Sequence, residues 1–171
     1  STLSPSSAAS DVYKRQNDVQ FVASDGSKNY YALYHDIIEP GKIYQIAGVA
    51  DTDGMKVYVN SVPGDAPNAY VASMNNPNVN LWIGKRDGDV GLLYGFVILV
   101  RIYSKALTQR ELRYNMLNYH NPVRDGLALW LHDKIVGDTW YDESGNGNNG
   151  TISGCTIRAL RMWELRAKIG L

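Results

Sequence analysis

Cysteine is almost missing from this chain: there is one, Cys155, in 171 residues. A lone thiol excludes an intramolecular disulfide framework and any zinc site built on several cysteines. Charge of one sign is also missing, because 17 basic and 17 acidic residues leave a formal net charge of +0. A neutral chain has no general pull toward nucleic acid or an anionic membrane surface. No run approaches the roughly 18 apolar residues of a membrane span, and the longest centres on Phe96–Val100. Glutamate is confined to Glu39, Glu111, Glu143 and Glu164, and histidine to His35, His120 and His132. What is plentiful is Tyr (12), Gly (16) and scattered Asn and Asp, a composition that fits strands joined by tight turns. The length suits one globular domain of ordinary core size, with a fragment of another.

Residues 1–16, STLSPSSAASDVYKRQ, are small and polar, without periodicity and without the apolar core of a secretory signal. The codons GAT GTG TAT AAG AGA CAG would spell Asp11 to Gln16, and they resemble the transposase end used to build sequencing libraries. This stretch is therefore expected to be a non-native, adapter-derived tail, with the natural chain continuing upstream of Asn17. A natural disordered tail is the alternative.

From Val19 onward the pattern is that of strands. VQFVASDGSKNYYALY breaks at Asp25-Gly26, a turn dipeptide between two β-prone runs. In KIYQIAGVADTDGMKVYVNSV a Thr52-Asp53-Gly54 turn separates two runs, and Met55, Val57 and Val59 alternate with Lys56, Tyr58 and Asn60. That alternation predicts a hairpin with one buried face. NVNLWIG reads as a further strand, and LLYGFVILVRIYS as a near-continuous apolar strand buried on both faces. One helix is predicted over 108–118, where Thr108 and Glu111 form a capping box and Leu112, Met116 and Tyr119 form a narrow apolar stripe. Pro122 stops it.

The succession YQIAGVADTDGMKVYVNSV, LWIG and YGFVILVRIYSKALTQREL resembles the second half of a laminin-G-like, concanavalin A-like lectin/glucanase jelly roll, over residues 19 to 120. GLALWLHDKIVGDTWYDESGNGNNGTISG, residues 126–154, is similar to the opening strands of the same family. The resemblance implies an all-β sandwich of two antiparallel sheets with one short helix. The domain reading is a tail at 1–16, a jelly-roll body at 17–121, and C-terminal strands at 122–171. Those strands complete the same sandwich or a neighbouring subunit's; a truncated second tandem domain is the competing arrangement.

The last residues carry their own pattern. In WELRAKIGL, Trp163, Leu165, Ala167, Ile169 and Leu171 alternate with Glu164, Arg166, Lys168 and Gly170, which predicts a strand that needs a sheet edge. Departures from the family pattern point the same way. Ile98 and Leu99 stand where the family has an acidic pair, so some surface is expected to cover them. Ile98, Leu99, Trp163, Leu165 and Ile169 are the candidate interface residues. Ser61 replaces the usual hairpin Gly, and Tyr44-Gln45 the usual Trp-His.

Glycoside hydrolases also use this sandwich, and hydrolysis needs two carboxylates, about 5–5.5 Å apart for retention or roughly 6.5–9.5 Å for inversion. None of the four glutamates has an acidic partner two residues away on a plausible strand. Asp51/Asp53 and Asp87/Asp89 have that spacing, but each pair sits beside a Gly in a turn and reads as solvated turn residues. The three histidines are placed in loops or at element ends, and no Ser-His-Asp order emerges. No catalytic residue and no cofactor are therefore expected. Ca²⁺ is the one ion that RDGDVG or DTDG could take, although two carboxylates do not fill a shell of six to eight oxygens.

Sugar binding is what the resemblance implies. It needs an exposed aromatic platform and fixed polar groups, and Trp82, Tyr94 and the intervening loop with Asp87 and Asp89 are the candidates. Trp82, between Leu81 and Ile83, also has the ordinary reading of a core residue, as do Trp130, Trp140 and Trp163. Tyr30, Tyr31 and Tyr34 form a cluster suited to a surface or interface. The expectation is a non-catalytic carbohydrate-binding or adhesion module, extracellular or on a virion surface. Its partners would be a glycan or cell-surface polysaccharide, with homo-oligomer, capsid or filament neighbours besides, and neither nucleic acid nor membrane insertion. The alternative is a structural subunit of a virion or extracellular filament, assembled partly by strand addition.

Overall fold

The computed structural model describes residues 18–25, 27–35, 37–64, 80–85 and 93–158. Among these residues the structure is mostly β, with antiparallel sheets and one short helix. The chain divides into two compact units: Ser1–Asn75 with Ala106–Pro122 and Arg158–Leu171, and Asn76–Lys105 with Val123–Ile157. No helix among the described residues is long and apolar enough to cross a membrane.

In the first unit, β1 (Val19–Ser24) pairs antiparallel with β2 (Asn29–Tyr34), and β3 (Ile46–Asp51) pairs with β4 (Gly54–Val59), which pairs with β5 (Val62–Pro63). The β1–β2 loop is fixed by Asp25, whose Oδ1 accepts Ser27 N and Lys28 N at 2.8 Å and whose Oδ2 accepts the Tyr30 hydroxyl at 2.7 Å. Val19, Ala23 and Ala32 from one sheet meet Met55, Val57 and Val59 from the other in a single core, with Phe21, Tyr30, Tyr34 and Tyr44 packed around it. Burying each of the larger aliphatic side chains contributes about 1.5–3 kcal/mol. Tyr30 and Tyr34 thus serve the core edge, whereas Tyr31 remains exposed.

The alternation of Met55, Val57 and Val59 toward this core is as the pattern predicts, but β4 does not bury one face only. Tyr58, on the opposite face, is 8% exposed. The strand is central, so Tyr58 is flanked by Ala47 on β3 and Pro63 on β5, and cross-strand neighbours on one face cover each other.

The β4–β5 turn is a two-residue connection, Asn60-Ser61, with φ of 49° and 64°. Positive φ at both positions is the type I′ geometry that matches strand twist and normally favours Gly or Asn. Helix α1 (Gln109–Leu117) starts on the capping box, with Thr108 Oγ1 accepting Glu111 N at 3.2 Å and Glu111 Oε2 accepting Thr108 N at 2.8 Å. Leu112 and Asn115 are its buried residues. Of the expected stripe only Leu112 is fully buried; Met116 and Tyr119 are half-buried. Polar tethers explain the rotation: Gln45 Nε2 donates to Leu112 O at 2.9 Å, and Gln109 Nε2 donates to Ser61 O at 3.0 Å. The helix ends at Leu117 with Asn118 as its C-cap, before Pro122 is reached.

In the second unit, β6 (Val100–Tyr103), β7 (Leu127–Val136), β8 (Thr139–Asp142) and β9 (Gly150–Thr151) lie side by side in chain order. Every pairing is antiparallel. Gly137, at φ 57°, opens the tight β7–β8 turn. Leu129, Trp130, Leu131 and His132 are all buried, so this half of β7 is covered on both faces. His132 therefore lies inside a strand rather than in a loop or at an element end. Its ring stacks on Trp130 at 5.7 Å and its carbonyl accepts Trp140 Nε1 at 2.6 Å.

The apolar run LLYGFVILVRIYS is not one buried strand. Only Val100–Tyr103 is β, and Phe96 is 67% exposed. Val100 pairs with Leu131, and among the described residues the β6–β7 ladder extends no further toward Phe96–Leu99. Residues 80–85 likewise form no strand, and Gly84 bends the backbone at φ 81°.

Candidate functional site

Two features of the second unit carry exposed chemistry. The first is built where two segments meet: Leu93 N donates to Gly84 O at 2.8 Å, which sets residues 80–84 and 93–97 side by side as two flanks. Trp82 on one flank is 47% exposed, and Tyr94 on the other is 95% exposed. The Lys85 ammonium lies 4.2 Å from the centroid of the Trp82 ring, a cation–π contact that holds the indole at the surface. Trp82 is thus not a core residue. Leu81, Leu93, Phe96 and Val97 are exposed beside it, while Ile98 and Leu99 are half-buried.

Of the residues singled out from the sequence, Trp82 and Tyr94 therefore lie on the two segments joined by that hydrogen bond. Asp87, Asp89, Trp163, Leu165 and Ile169 lie outside the described residues. The turn aspartate Asp51 is accounted for locally: its Oδ1 accepts Asp53 N at 2.9 Å, and Lys56 lies 3.9 Å from its other oxygen.

The second feature was not legible as a site in the sequence. After β8 the chain runs through Asp142-Glu143-Ser144-Gly145-Asn146-Gly147-Asn148, and Asp142 organises the whole turn. Its Oδ1 accepts Trp130 N and Ser144 N, each at 2.9 Å, while its Oδ2 accepts Ser144 Oγ at 2.8 Å and Asn148 N at 2.9 Å. Burial pushes the Asp142 carboxyl up, but these donors outweigh it and hold the group below the usual carboxylate range. Asn146 Nδ2 donates to Leu127 O and Ala128 O at 3.0 and 3.1 Å, and Asn148 Nδ2 donates to Ala128 O at 3.0 Å.

Facing this turn, the Arg124 guanidinium lies 4.6 Å from the Trp130 ring centroid, and Arg101 lies 6.0 Å from the same ring. Burial lowers the Arg101 pKa, with Tyr103 opposing and Arg124 adding to the shift. Ser104, Arg124, Gly126, Leu127, Ala128, Asn146 and Asn148 line a shallow open depression of about 370 Å³. Arg124 stands six positions before Trp130, and only the packing of the strand brings them together. The one sequence signal available was the polar turn itself, Asp-x-Ser-Gly-x-Gly-Asn.

The family model for the concanavalin A-like lectin/glucanases superfamily matches residues 5–113, more than half of the 171 residues. Strand β6 falls inside that span, and its hydrogen-bonded neighbour β7 falls beyond it. No curated protein and no solved structure matches the chain. With the antiparallel sheets, the capped helix and this match in hand, the chain belongs to the concanavalin A-like lectin/glucanase superfamily.

Proposed function

We propose that the chain is a non-catalytic module that binds carbohydrate on an extracellular or virion surface. The observation that supports this reading is the pair of exposed rings, Trp82 and Tyr94, on two segments joined by a backbone hydrogen bond in a lectin-superfamily chain. A pyranose presents an apolar face of C–H groups, and an exposed aromatic ring covers it. Polar groups nearby then select among hydroxyl patterns. In this reading Trp82 and Tyr94 form the platform, and Asp87 and Asp89 in the intervening loop accept from sugar hydroxyls. No metal or other cofactor takes part. Glycan-array binding by the intact chain tests the reading directly. Tyr94→Ala should weaken the signal roughly tenfold, and a chain that binds no glycan at all would refute it.

A second reading rests on a different observation. Leu81, Leu93, Phe96 and Val97 are exposed beside the two rings, which is more apolar surface than a sugar needs. In a structural subunit of a virion or filament this face, with Ile98 and Leu99, would be covered by a neighbouring copy. The alternating segment Trp163, Leu165, Ile169 would add a strand to that copy. Sedimentation at rising concentration separates the two readings: a structural subunit assembles, and deleting residues 156–171 stops it. A glycan-binding monomer does neither.

A further inference from the structure

We infer that the depression lined by Ser104, Arg124, Asn146 and Asn148 is a separate subsite that takes the carboxylate of an acidic saccharide together with the hydroxyls beside it. This inference rests on the carbohydrate-binding reading, but it uses none of the residues of the Trp82–Tyr94 face.

The first support is charge. Arg124 is exposed and, among the described residues, has no carboxylate within ion-pair reach. Its contacts are the Trp130 ring at 4.6 Å and a long hydrogen bond from Nη1 to Glu143 O at 3.4 Å. The cation–π contact with the indole restrains the guanidinium and leaves most of its N–H donors unspent. Two acidic side chains of this region are already engaged, while Glu143, whose carbonyl accepts from Arg124, buries its Oε1 without a hydrogen-bond partner among the described residues. Asp125 is neutralised by Lys105 at 2.6 Å, and both oxygens of Asp142 are occupied by donors from its own turn and from Trp130. An uncompensated cation at the edge of a polar depression recruits an anion, and a planar guanidinium suits a carboxylate.

The second support is the pairing of that donor with fixed acceptors. The Nδ2 groups of Asn146 and Asn148 are spent on the carbonyls of Leu127 and Ala128. That orients both amides and leaves each Oδ1 without a donor among the described residues. Asp142 holds the turn from four sides, so these acceptors are preorganised rather than gathered on binding. Donors from Arg124 beside acceptors from Asn146 and Asn148 complement a group that both accepts and donates. A uronate is such a group, its carboxylate accepting and its neighbouring hydroxyls donating. A bare anion would use Arg124 alone, and a neutral sugar would leave the guanidinium unpaired.

The test is calorimetric titration of the intact chain with trigalacturonate and with neutral galactotriose, at low and at raised salt. The expected result is at least tenfold tighter binding of the uronate, weakened by salt. Arg124→Gln should erase the preference while leaving the neutral sugar unchanged. Ser104→Asp, which sets a negative charge in the same depression, should do the same if Arg124→Gln fails to fold. Trp82→Ala should weaken both sugars and keep their ratio. Equal affinity for the two sugars, or a preference that survives both Arg124→Gln and Ser104→Asp, overturns the subsite and leaves the wider reading standing. Absence of binding to either sugar overturns the subsite, and overturns the wider reading as well if the glycan array is also blank.

Discussion

The Ser61 hydroxyl donates to Gln45 Oε1 at 2.7 Å. These are two of the positions at which the chain departs from its family's pattern, and they touch each other. Ser61 occupies left-handed backbone at φ 64°, where a Cβ is unfavourable by roughly 1–2 kcal/mol. Its hydroxyl offsets that strain by satisfying a part-buried amide, and Gln45 passes the connection on to Leu112 O in the helix. Gln45 N also accepts support from this turn by donating to Asn60 Oδ1 at 2.9 Å. Ser61 and Gln45 therefore form one coupled pair.

Chemical denaturation of two variants checks this. Ser61→Ala keeps the strained backbone and strands Gln45 Oε1, so it should destabilise the fold by about 1–3 kcal/mol. Ser61→Gly also loses the hydrogen bond but relieves the strain, and should lie about 1 kcal/mol above the alanine variant. Equal stabilities for the two would show that the positive φ carries no penalty here.

A second close approach sits between the sheets of the first unit. A Cβ added at Gly48 on β3 would land inside the ring of Phe21 on β1. The ring is part of the packing around the core, so it must shift out of that packing to make room. Gly48→Ala should therefore destabilise by about 1–3 kcal/mol, the usual range for overpacking. Adding Phe21→Leu should recover part of that loss. A melting temperature unmoved by Gly48→Ala would contradict the packing.

Elements whose partners lie close in sequence were legible in it. The β3–β4 hairpin was readable because Asp51 and Gly54 are opposed across a two-residue turn and the alternation through Val59 has only one sensible register. Helix α1 was readable from Thr108 and Glu111 alone. What failed depended on distant partners. Phe96–Leu99 are apolar enough for a strand, yet the ladder with β7, a partner about thirty positions away, begins only at Val100. Asn115 is buried and Met116 only partly so because Gln45 and Ser61 fix the helix rotation. At the candidate sites, Trp82 and Tyr94 were visible as aromatics near a loop. Arg124 was not, because its partner Trp130 and the turn at Asp142 meet it only after β7 and β8 have paired.

Asp142 gives a pH dependence with a definite sign. Its pKa is depressed in the folded chain, so its contribution is full above the unfolded carboxylate value of about 4 and is lost as pH falls through the folded value. Thermal melts of the native chain should therefore fall off below about pH 4. Asp142→Asn keeps one acceptor oxygen for four donors, so it should be less stable at pH 7 by about 1–3 kcal/mol and show a shallower acid decline. Parallel declines in the two proteins would place the acid sensitivity elsewhere, Asp25 being the other carboxylate held low, chiefly by the Tyr30 hydroxyl and by Ser27.

Tyr94 and Leu131 stand at opposite ends of exposure in the second unit, 95% against 2%, and substituting each should separate binding from folding. Leu131 on β7 packs against the next strand but one, its Cδ1 lying 3.5 Å from a Cβ built at Gly150 on β9. Leu131→Ala should remove about 2–5 kcal/mol of stability through the cavity it leaves. Tyr94→Ala exposes nothing that was covered and should shift stability by less than about 0.5 kcal/mol. Binding reverses the order. If a sugar covers about 60 Å² of the Tyr94 ring at about 25 cal/mol per Å², its loss removes about 1.5 kcal/mol, roughly a tenfold drop in glycan affinity. Leu131→Ala, assayed well below its melting temperature, should bind as the native chain does. A Tyr94→Ala variant that melts early would instead mean that this ring covers apolar surface, and the platform reading would have to give way to the assembly reading of the same face.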